Sequence, residues 1–387
     1  MHLVVAPDKF KGSLTAREVA DHIAAGIARV APDVAIARVP VADGGDGTLD
    51  AALAAGFTRV AVRAHGPTGT LVDTAFAVRE GVAVIEMAGV SGLRLLAPGG
   101  LDALRASSFG VGEVIRTALD QGCHTVVLGI GGSASTDGGA GMLAALGARL
   151  LDAAGNELPP GGGALSALER IDLSGLHPRL AHTRVVVASD VDNPLLGQHG
   201  AAAVYGPQKG ATPADVVLLD ASLARWDAVL SRTLAGTAAG RLGTGATRDR
   251  PGAGAAGGVG YAAMAVLGGV LEPGIGLILD LVRFADYLPG AGLVITGEGS
   301  LDEQTLSGKA PAGVAAAAGA AGVPVVAVSG QVALAEGKLR AAGFARAYAL
   351  TDIEPDLLRC LANAGPLLET LAQRIARDWL ASSRHRG

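Results

Sequence analysis

Apolar positions along the chain follow two different spacings, and each spacing predicts a different element. Residues 3–6 and 35–41 form short apolar runs, with the length and composition of buried strands. Residues 14–30 instead repeat apolar side chains every three or four positions, as one face of an amphipathic helix does. Thr15 and Glu18 form a capping-box pattern near the start of that helix. A strand–helix–strand beginning of this kind predicts a parallel sheet.

The spacing changes after residue 57, where polar and apolar residues alternate in three short runs. Such alternation is typical of strands with one solvent-facing side. Turns containing Gly separate the runs, so we expect an antiparallel meander. The three runs are residues 59–64, 71–78 and 82–87. Further strands are predicted at 125–128 and 184–188, and helices at 111–121, 138–151, 213–235 and 256–270.

From about residue 275 strands and helices alternate again. The predicted order is helix 276–287, strand 292–296, helix 311–321, strand 324–328, helix 333–341, strand 345–350 and helix 363–382. We therefore expect an α/β protein in which both chain ends, 1–64 plus 273–387, form a Rossmann-like parallel-sheet domain. A second α/β domain with a mixed sheet, 65–272, would be inserted into it, and the active site would lie in the cleft between them. Residues 236–255 are predicted to form a mobile loop.

Composition narrows the functional classes. The chain has 387 residues, 50% of them hydrophobic, but only 3% aromatic, so Ala, Val and Leu must build its cores. The net charge of −5 and the lack of a basic stretch argue against nucleic acid as a partner. Cys123 and Cys360 are too few and too distant for a disulfide framework or a zinc site. With neither a signal peptide nor a membrane span in the sequence, we expect a cytoplasmic protein. A homo-oligomer is compatible with the sequence.

The most informative polar stretch is residues 297–309 (GEGSLDEQTLSGK), which lies between an apolar strand and a helix with Pro311 in its first turn. A loop in this position can hold phosphate, because free N–H groups and the helix dipole point at the anion. It is not a Walker A loop, since Glu303 replaces that motif's first Gly and Ala310 follows the lysine. A polar turn that only caps the helix would not need acids and a lysine together. The candidate phosphate-binding residues are Glu298, Asp302, Thr305, Ser307, Gly308 and Lys309.

Other polar clusters follow predicted strands near the start of the chain. Asp8, Lys9 and Lys11 suggest an anion pocket, although an exposed loop would have the same composition. Asp43 and Asp46 lie in a Gly-rich turn, where carboxylates can hold hydrated Mg²⁺ or accept hydrogen bonds from hydroxyl groups. Ordinary Asp/Gly turn chemistry explains Asp46 equally well.

Two further loops follow the predicted strands at 125–128 and 184–188. Residues 129–139 are rich in Gly and hydroxyl groups and suit a phosphate or a carboxylate. They also match the dinucleotide pattern GxGxxA, with Asp152 as the ribose partner, so an NAD site is the main alternative. Asp190 is a candidate general base or metal ligand.

The clusters together favour one chemistry. Carboxylates recur beside lysines and Gly turns, which is the mixture that phosphoryl transfer requires. No histidine lies in these clusters, so a hydrolase with a nucleophile–His–acid triad is not supported.

The same motifs resemble the type-1 glycerate kinase family, in that family's order and over nearly the full length. They are residues 6–14, 40–48, 129–139, 189–196, 206–210 and 297–309. The resemblance implies ATP-dependent phosphorylation of D-glycerate with Mg²⁺, and an α/β domain carrying a second, inserted domain. For bacterial members it implies 2-phosphoglycerate as the product, with 3-phosphoglycerate as the alternative.

Under this resemblance we expect Asp190 to orient or deprotonate the glycerate hydroxyl, assisted by Lys9 and Lys11 as catalytic cations. Substrate contacts are expected from Asp8, Asp43, Gly131, Gly132, Ser133 and Asp137. Nucleotide phosphates are expected at the six candidates in 297–309, and Mg²⁺ at Asp190 and Asp302. The rival hypotheses are an NAD-dependent oxidoreductase using 129–134 and a two-lobed binding protein without catalysis.

Overall fold

The computed structural model describes residues 2–235, 247–306 and 308–380. The chain divides into two compact units. We call Met1–Asp43, Asp50–Gly56 and Pro273–Gly387 the terminal unit, and Gly44–Leu49 with Phe57–Glu272 the inserted unit.

The terminal unit contains a five-stranded sheet, in the order β13-β12-β11-β1-β2, whose strand pairs are all parallel. Its strands are β1 (His2–Pro7), β2 (Ala35–Arg38), β11 (Ala291–Leu301), β12 (Val325–Val332) and β13 (Phe344–Ala349). Its helices are α1 (Ala16–Ala28), α9 (Gly274–Leu281), α10 (Ala310–Ala320), α11 (Glu336–Ala341), α12 (Leu357–Ala362) and α13 (Ala364–Leu380), with 3₁₀ turns at Phe284–Tyr287 and Leu350–Asp352. Helix α2 (Thr48–Ala54) begins in the inserted unit and continues in the terminal one.

Successive residues of β1, which lies between β11 and β2, belong to two separate cores. Leu3 and Val5 pack into the core that contains residues of α1 and α13. Val4 and Ala6 pack into the other core, with residues of α9 and α10. Because side chains alternate across a strand, helices cover both faces of the sheet. The sequence prediction of a Rossmann-like parallel sheet is confirmed.

Helices α1 and α13 touch at Gly26. A Cβ atom there would lie 2.7 Å from the Cβ of Ala372 and would also overlap the Glu369 backbone carbonyl. We therefore expect Gly26→Ala to lower the free energy of unfolding by about 1–3 kcal/mol, the usual cost of overpacking. Gly319→Ala is the matched control, since Gly319 lies in α10 with no atom near its Cβ position. There the better helix propensity should raise stability by about 0.5–1 kcal/mol. Urea unfolding of both variants measures the difference, and equal effects would contradict the close contact.

The inserted unit contains a six-stranded sheet in the order β10-β9-β6-β5-β4-β3. Its mixed character agrees with the sequence prediction, which gave neither the number nor the order of the strands. Strands β10, β9, β6 and β5 are parallel, whereas β5, β4 and β3 form the antiparallel meander. The strands are β3 (Thr58–His65), β4 (Leu71–Arg79), β5 (Val82–Glu86), β6 (Thr125–Gly129), β9 (Arg184–Ala188) and β10 (Val270–Glu272), and a separate hairpin pairs β7 (Arg149–Leu151) with β8 (Arg170–Asp172). The helices are α3 (Ala88–Ser91), α4 (Phe109–Asp120), α5 (Ala140–Ala145), α6 (Ala201–Tyr205), α7 (Pro213–Leu234) and α8 (Ala255–Val266), with 3₁₀ turns at Leu93–Leu95, Gly162–Ala167, Pro178–His182 and Pro207–Lys209.

Several predicted boundaries were wrong. Residues 57–64 were assigned to the first domain, but β3 pairs along its length with β4 and belongs to the inserted unit. The helix predicted at 138–151 is only α5, because Gly147 takes a left-handed φ of 111° and β7 follows. Of the predicted loop 236–255, residues 236–246 lie outside the described residues. In the remaining part, Ala253 and Ala255 are buried, and Ala255 begins α8. Among the described helices, none combines the length and apolar composition that a membrane span requires.

Candidate active site

Carboxylates from three segments meet at the carboxyl ends of β1, β2 and β11 in the terminal unit. Pro7 pairs with Gly297 in the sheet, so Asp8 and Glu298 are the next residues of neighbouring strands. Burial raises the pKa of Asp8 to about 7, with the charges of Asp43 and Glu298 adding to the effect and Lys9 opposing it. Burial likewise raises the pKa of Glu298; the charges of Asp302 and Asp43 add to the effect, and the hydrogen bond from Thr305 and the charge of Lys309 oppose it. Four carboxylates of this unit thus repel one another.

The buried state of Asp8 has a consequence for stability. Its pKa is higher in the folded protein than the ordinary value of 3.8, so the folded state binds the extra proton between pH 4 and pH 7. The stabilisation that protonated Asp8 gives is therefore complete at pH 4 and is lost as the pH rises through about 7. We expect the wild type to lose a few kcal/mol of unfolding free energy relative to Asp8→Asn over this window. Chemical denaturation at several pH values measures it, and parallel curves for both proteins would refute it.

The loop after β11 is held by Thr305 and Glu298. The Thr305 hydroxyl donates to Glu298 Oε1 at 2.5 Å, and Lys309 Nζ lies 3.6 Å from Glu298 Oε2. Asp302 Oδ1 accepts hydrogen bonds from the N–H groups of Gln304 and Thr305. Lys309 is the N-cap residue of α10, which has Pro in its first turn as predicted. The lysine side chain is about one-third exposed, so it can meet an anion near the helix start.

The structure changes one part of the prediction for 297–309. Residues 297–301 are not loop but the end of β11, because they pair with β12. Strand β12 also continues beyond its predicted end at residue 328, to Val332. The loop itself is shorter, and Gly308 takes a left-handed φ of 98° just before the N-cap. Ser307, predicted to bind phosphate, lies outside the described residues.

Lys9 and Lys11 lie in the turn that follows β1. The Lys9 N–H donates to Asp8 Oδ1 at 2.6 Å, and its Nζ lies 3.8 Å from the same oxygen. Lys11 is exposed and forms no ion pair with any described residue. Ser13 does not cap α1, since its hydroxyl donates to the Phe10 carbonyl and Thr15 is the N-cap residue. The capping box of Thr15 with Glu18 is confirmed.

The Gly-rich loop after β6 is the main polar feature of the inserted unit. Gly131 is needed for close packing, since its Cβ would lie 2.6 Å from the Cα of Gly45. Gly132 takes a left-handed φ of 72° and is exposed. The N–H groups of Gly132 and Ser133 form no hydrogen bond with the described residues. Consecutive free N–H groups around a left-handed residue form a concavity that favours anions.

Asp137, predicted to contact substrate, is instead saturated by the protein. Its carboxylate accepts hydrogen bonds from the N–H groups of Ser108, Gly139 and Gly141 and from the hydroxyls of Ser107 and Ser108. Only 1% of its surface is exposed. Asp137 therefore joins the N-terminal ends of α4 and α5. We propose that it stabilises the Gly-rich loop, residues 129–139, and does not itself contact the substrate.

Lys209, the lysine of the 206–210 motif, is one of the most buried side chains. Its Nζ donates to the Ser135 carbonyl at 2.5 Å and to Ser133 Oγ at 3.1 Å, so it contacts the Gly-rich loop directly. Burial lowers its pKa to about 7, and the charge of Asp137 opposes that shift. Nothing in the local sequence of Pro207–Lys209 marks the lysine as buried, because its partners lie about 75 positions away along the chain.

Residues 44–49 are anchored to the mixed sheet by Glu86, which ends β5. Its carboxylate accepts hydrogen bonds from the N–H groups of Gly47 and Leu49 and pairs with Arg94 at 3.1 Å. Burial raises the pKa of Glu86. Arg94 also lies 3.4 Å from Asp46. The Gly-rich turn is thus fixed by two residues that the sequence analysis did not identify.

Asp190 follows β9 at the edge where the Gly-rich loop follows β6. The last register pair of these strands joins Gly129 to Ala188, so Gly131 and Asp190 each come two residues later. Asp190 is exposed. Asp302, the other predicted metal ligand, belongs to the terminal unit. Within 2–235, 247–306 and 308–380, no three His, Cys, Asp or Glu side chains are close enough to form a ready metal centre.

The geometry around Asp152 does not suit a dinucleotide. In that fingerprint the acid ends the next strand of the same parallel sheet. Here Asp152 follows β7 of the separate hairpin, and it accepts hydrogen bonds from the N–H groups of Ala154 and Asn156. The GxGxxA match is therefore not supported by the residue that would bind the ribose.

Comparisons with known proteins agree on one family. The model of the glycerate kinase family matches residues 3–380. The chain is 41% identical over 379 residues to a glycerate kinase of Bacillus subtilis, with 97% of each chain covered. It is 44% identical over 337 residues to a glycerate 2-kinase of Escherichia coli, with 86% of each covered. A crystal structure described as glycerate kinase 2 from Salmonella typhimurium LT2 is similar with a TM-score of 0.84 at 40% identity, covering 99% of both chains.

Proposed function

Because the chain belongs to the glycerate kinase family, we propose that it transfers the γ-phosphoryl group of ATP to the 2-hydroxyl of D-glycerate. The name of the Escherichia coli relative supports the choice of the 2-hydroxyl. An NAD-dependent oxidoreductase has no support, either from the relatives or from the position of Asp152.

The observation that carries this proposal is the polar cluster of the terminal unit. Four mutually repelling carboxylates (Asp8, Asp43, Glu298 and Asp302) lie with Lys9 and Lys309 at the ends of parallel strands and the start of a helix. Phosphoryl transfer depends mainly on positioning and on neutralising charge, and this cluster supplies both signs of charge.

We assign the nucleotide phosphates to Lys309 and Gly308 at the start of α10, where Thr305 holds Glu298 beside the lysine. Lys9 and Lys11 would neutralise the charge of bound phosphate or substrate. In the inserted unit, the N–H groups of Gly132 and Ser133 would bind an anionic group of the substrate, and Asp190 would orient or deprotonate the glycerate hydroxyl.

Mg²⁺ fits the donor chemistry of the terminal unit. Hard carboxylate oxygens are its preferred protein ligands, and it usually takes only one or two of them together with water and phosphate. Burial and, to a smaller extent, the neighbouring carboxylates raise the pKa of Asp8 and of Glu298, and a cation would relieve the repulsion between these carboxylates. Asp302 and Asp43 are the residues of this unit that would hold it, with Asp190 as the candidate of the inserted unit. A bound Mg²⁺ would neutralise phosphate oxygens during transfer.

The proposal is tested by ADP release from ATP and Mg²⁺ with three acceptors. D-Glycerate should give rapid release of ADP. D-Lactate keeps only the 2-hydroxyl and should give slower release. 3-Hydroxypropionate keeps only the 3-hydroxyl and should give no release. Release with 3-hydroxypropionate but not D-lactate would indicate the 3-hydroxyl instead. If NAD raises the melting temperature and ATP with Mg²⁺ does not, the result would favour the oxidoreductase hypothesis instead.

A further inference from the structure

We propose that Lys209 is a positioning residue, which holds the Gly-rich loop and fixes the Ser133 hydroxyl as a hydrogen-bond donor for an anionic oxygen of the substrate. The inference rests on the proposed function, because that function supplies the anionic substrate. It concerns a residue buried behind the loop, which cannot itself touch a ligand in this conformation.

The loop is fixed at several points, and Lys209 holds its centre. The Leu93 N–H donates to the Gly132 carbonyl, and the Ala134 N–H donates to the Ser91 carbonyl. Trp226 Nε1 donates to the Gly138 carbonyl at 3.1 Å at the far end. Between these points, Lys209 binds the loop through Ser133 Oγ and the Ser135 carbonyl, and Ser107 and Ser108 bind it further on through Asp137.

The chemistry of the donor sets the direction of the Ser133 hydroxyl. A protonated lysine has only donors, so Ser133 Oγ must accept from it. The hydroxyl hydrogen then points away from Lys209, and no acceptor among the described residues receives it. Together with the N–H groups of Gly132 and Ser133, this leaves three donors of two consecutive residues without an acceptor among the described residues. An anionic oxygen, from the glycerate carboxylate or the transferred phosphoryl group, is the acceptor that such a set favours.

Both protonation states of Lys209 are compatible with this role. Asp137 is the charged group that acts on the lysine. An ammonium group has three donors and a neutral amine has two, so either state can make the two observed hydrogen bonds. Lys209 can therefore position the loop on both sides of its pKa.

The test compares Lys209→Met, Ser133→Ala and the double variant in the glycerate-dependent reaction. Methionine is unbranched and only one atom shorter than lysine, but it removes both hydrogen bonds. We expect each single variant to lose about 10–100-fold in kcat/KM, as when a hydrogen bond to a charged group is removed. The double variant should lose no more than the worse single one, because the two residues act through the same hydroxyl. A rise in KM for glycerate would assign the anion to the carboxylate, and a fall in kcat would assign it to the phosphoryl group.

Hydrogen exchange gives a readout that does not depend on glycerate. Peptides covering residues 129–139 should exchange faster in Lys209→Met than in the wild type, because the loop loses its central anchor. Val229→Ala, a core truncation in α7, should leave that local exchange and the KM unchanged. Additive losses in the double variant, or unchanged exchange at 129–139, would overturn the inference. An inactive wild type with faster exchange in Lys209→Met would instead refute the proposed function and leave the anchoring role supported.

Discussion

Replacing Asp190 with Asn is expected to lower kcat by roughly 10²–10⁴-fold, the usual contribution of a general base, with little change in KM for ATP. Asparagine has the same shape but cannot take a proton from the attacking hydroxyl. Asp190 is exposed and follows the end of β9 by two residues. The Gly-rich loop begins at the end of the neighbouring strand β6. Steady-state kinetics with D-glycerate as the varied substrate measures the effect.

Asp192 provides the matched control for this prediction. It is exposed, lies two residues further on and carries the same charge, so Asp192→Asn changes the local potential equally. We expect it to keep nearly full activity. Equal losses in the two variants would mean that the charge of the segment, rather than proton transfer at Asp190, accounts for the effect.

The second large effect is expected at Lys309, where Lys309→Met should raise KM for ATP by about 10–100-fold. The lysine lies at the N-cap of α10, where its charge adds to the helix dipole in attracting phosphate. Its ion pair with Glu298 at 3.6 Å holds it beside the carboxylate cluster. Titration of nucleotide binding by calorimetry separates this loss of affinity from any change in turnover.

Lys338→Met is the control, because Lys338 is an exposed lysine of the same unit that pairs with Glu303. Its removal should leave ATP affinity within about twofold of the wild type, since exposed ion pairs contribute little. Unchanged ATP affinity and turnover in Lys309→Met would remove the main argument for a phosphate site at the start of α10.

The sequence predicted the parts of this protein that depend on local pattern. Strand β9 was predicted at its observed bounds, and α7 ends within one residue of its prediction, because periodicity and capping residues are local signals. The extension of β11 through Leu301 could not be predicted in this way. Its last residues are mostly polar, and pairing with β12 is what makes them a strand.

The same limit applies to the candidate site. Acids and lysines at strand ends were identified from their motifs, since each motif is contiguous. Lys209 and Glu86 were not assigned roles, because both depend on partners about 40 to 75 positions away. The partners of Asp137 could not be predicted for the same reason: its motif is that of a loop acid, but its hydrogen bonds come largely from the start of α4. Contacts between distant segments decide whether a polar residue faces a ligand or supports the loop that does.

Phosphorus NMR of the product formed from ATP, Mg²⁺ and D-glycerate tests the central claim most directly. We predict a product resonance split into a doublet by the single proton on C2, which identifies 2-phosphoglycerate. A triplet from two protons on C3 would show 3-phosphoglycerate and contradict the proposed regiochemistry. The absence of any new organic phosphate, with ATP intact and the protein folded, would contradict the claim that this chain phosphorylates glycerate.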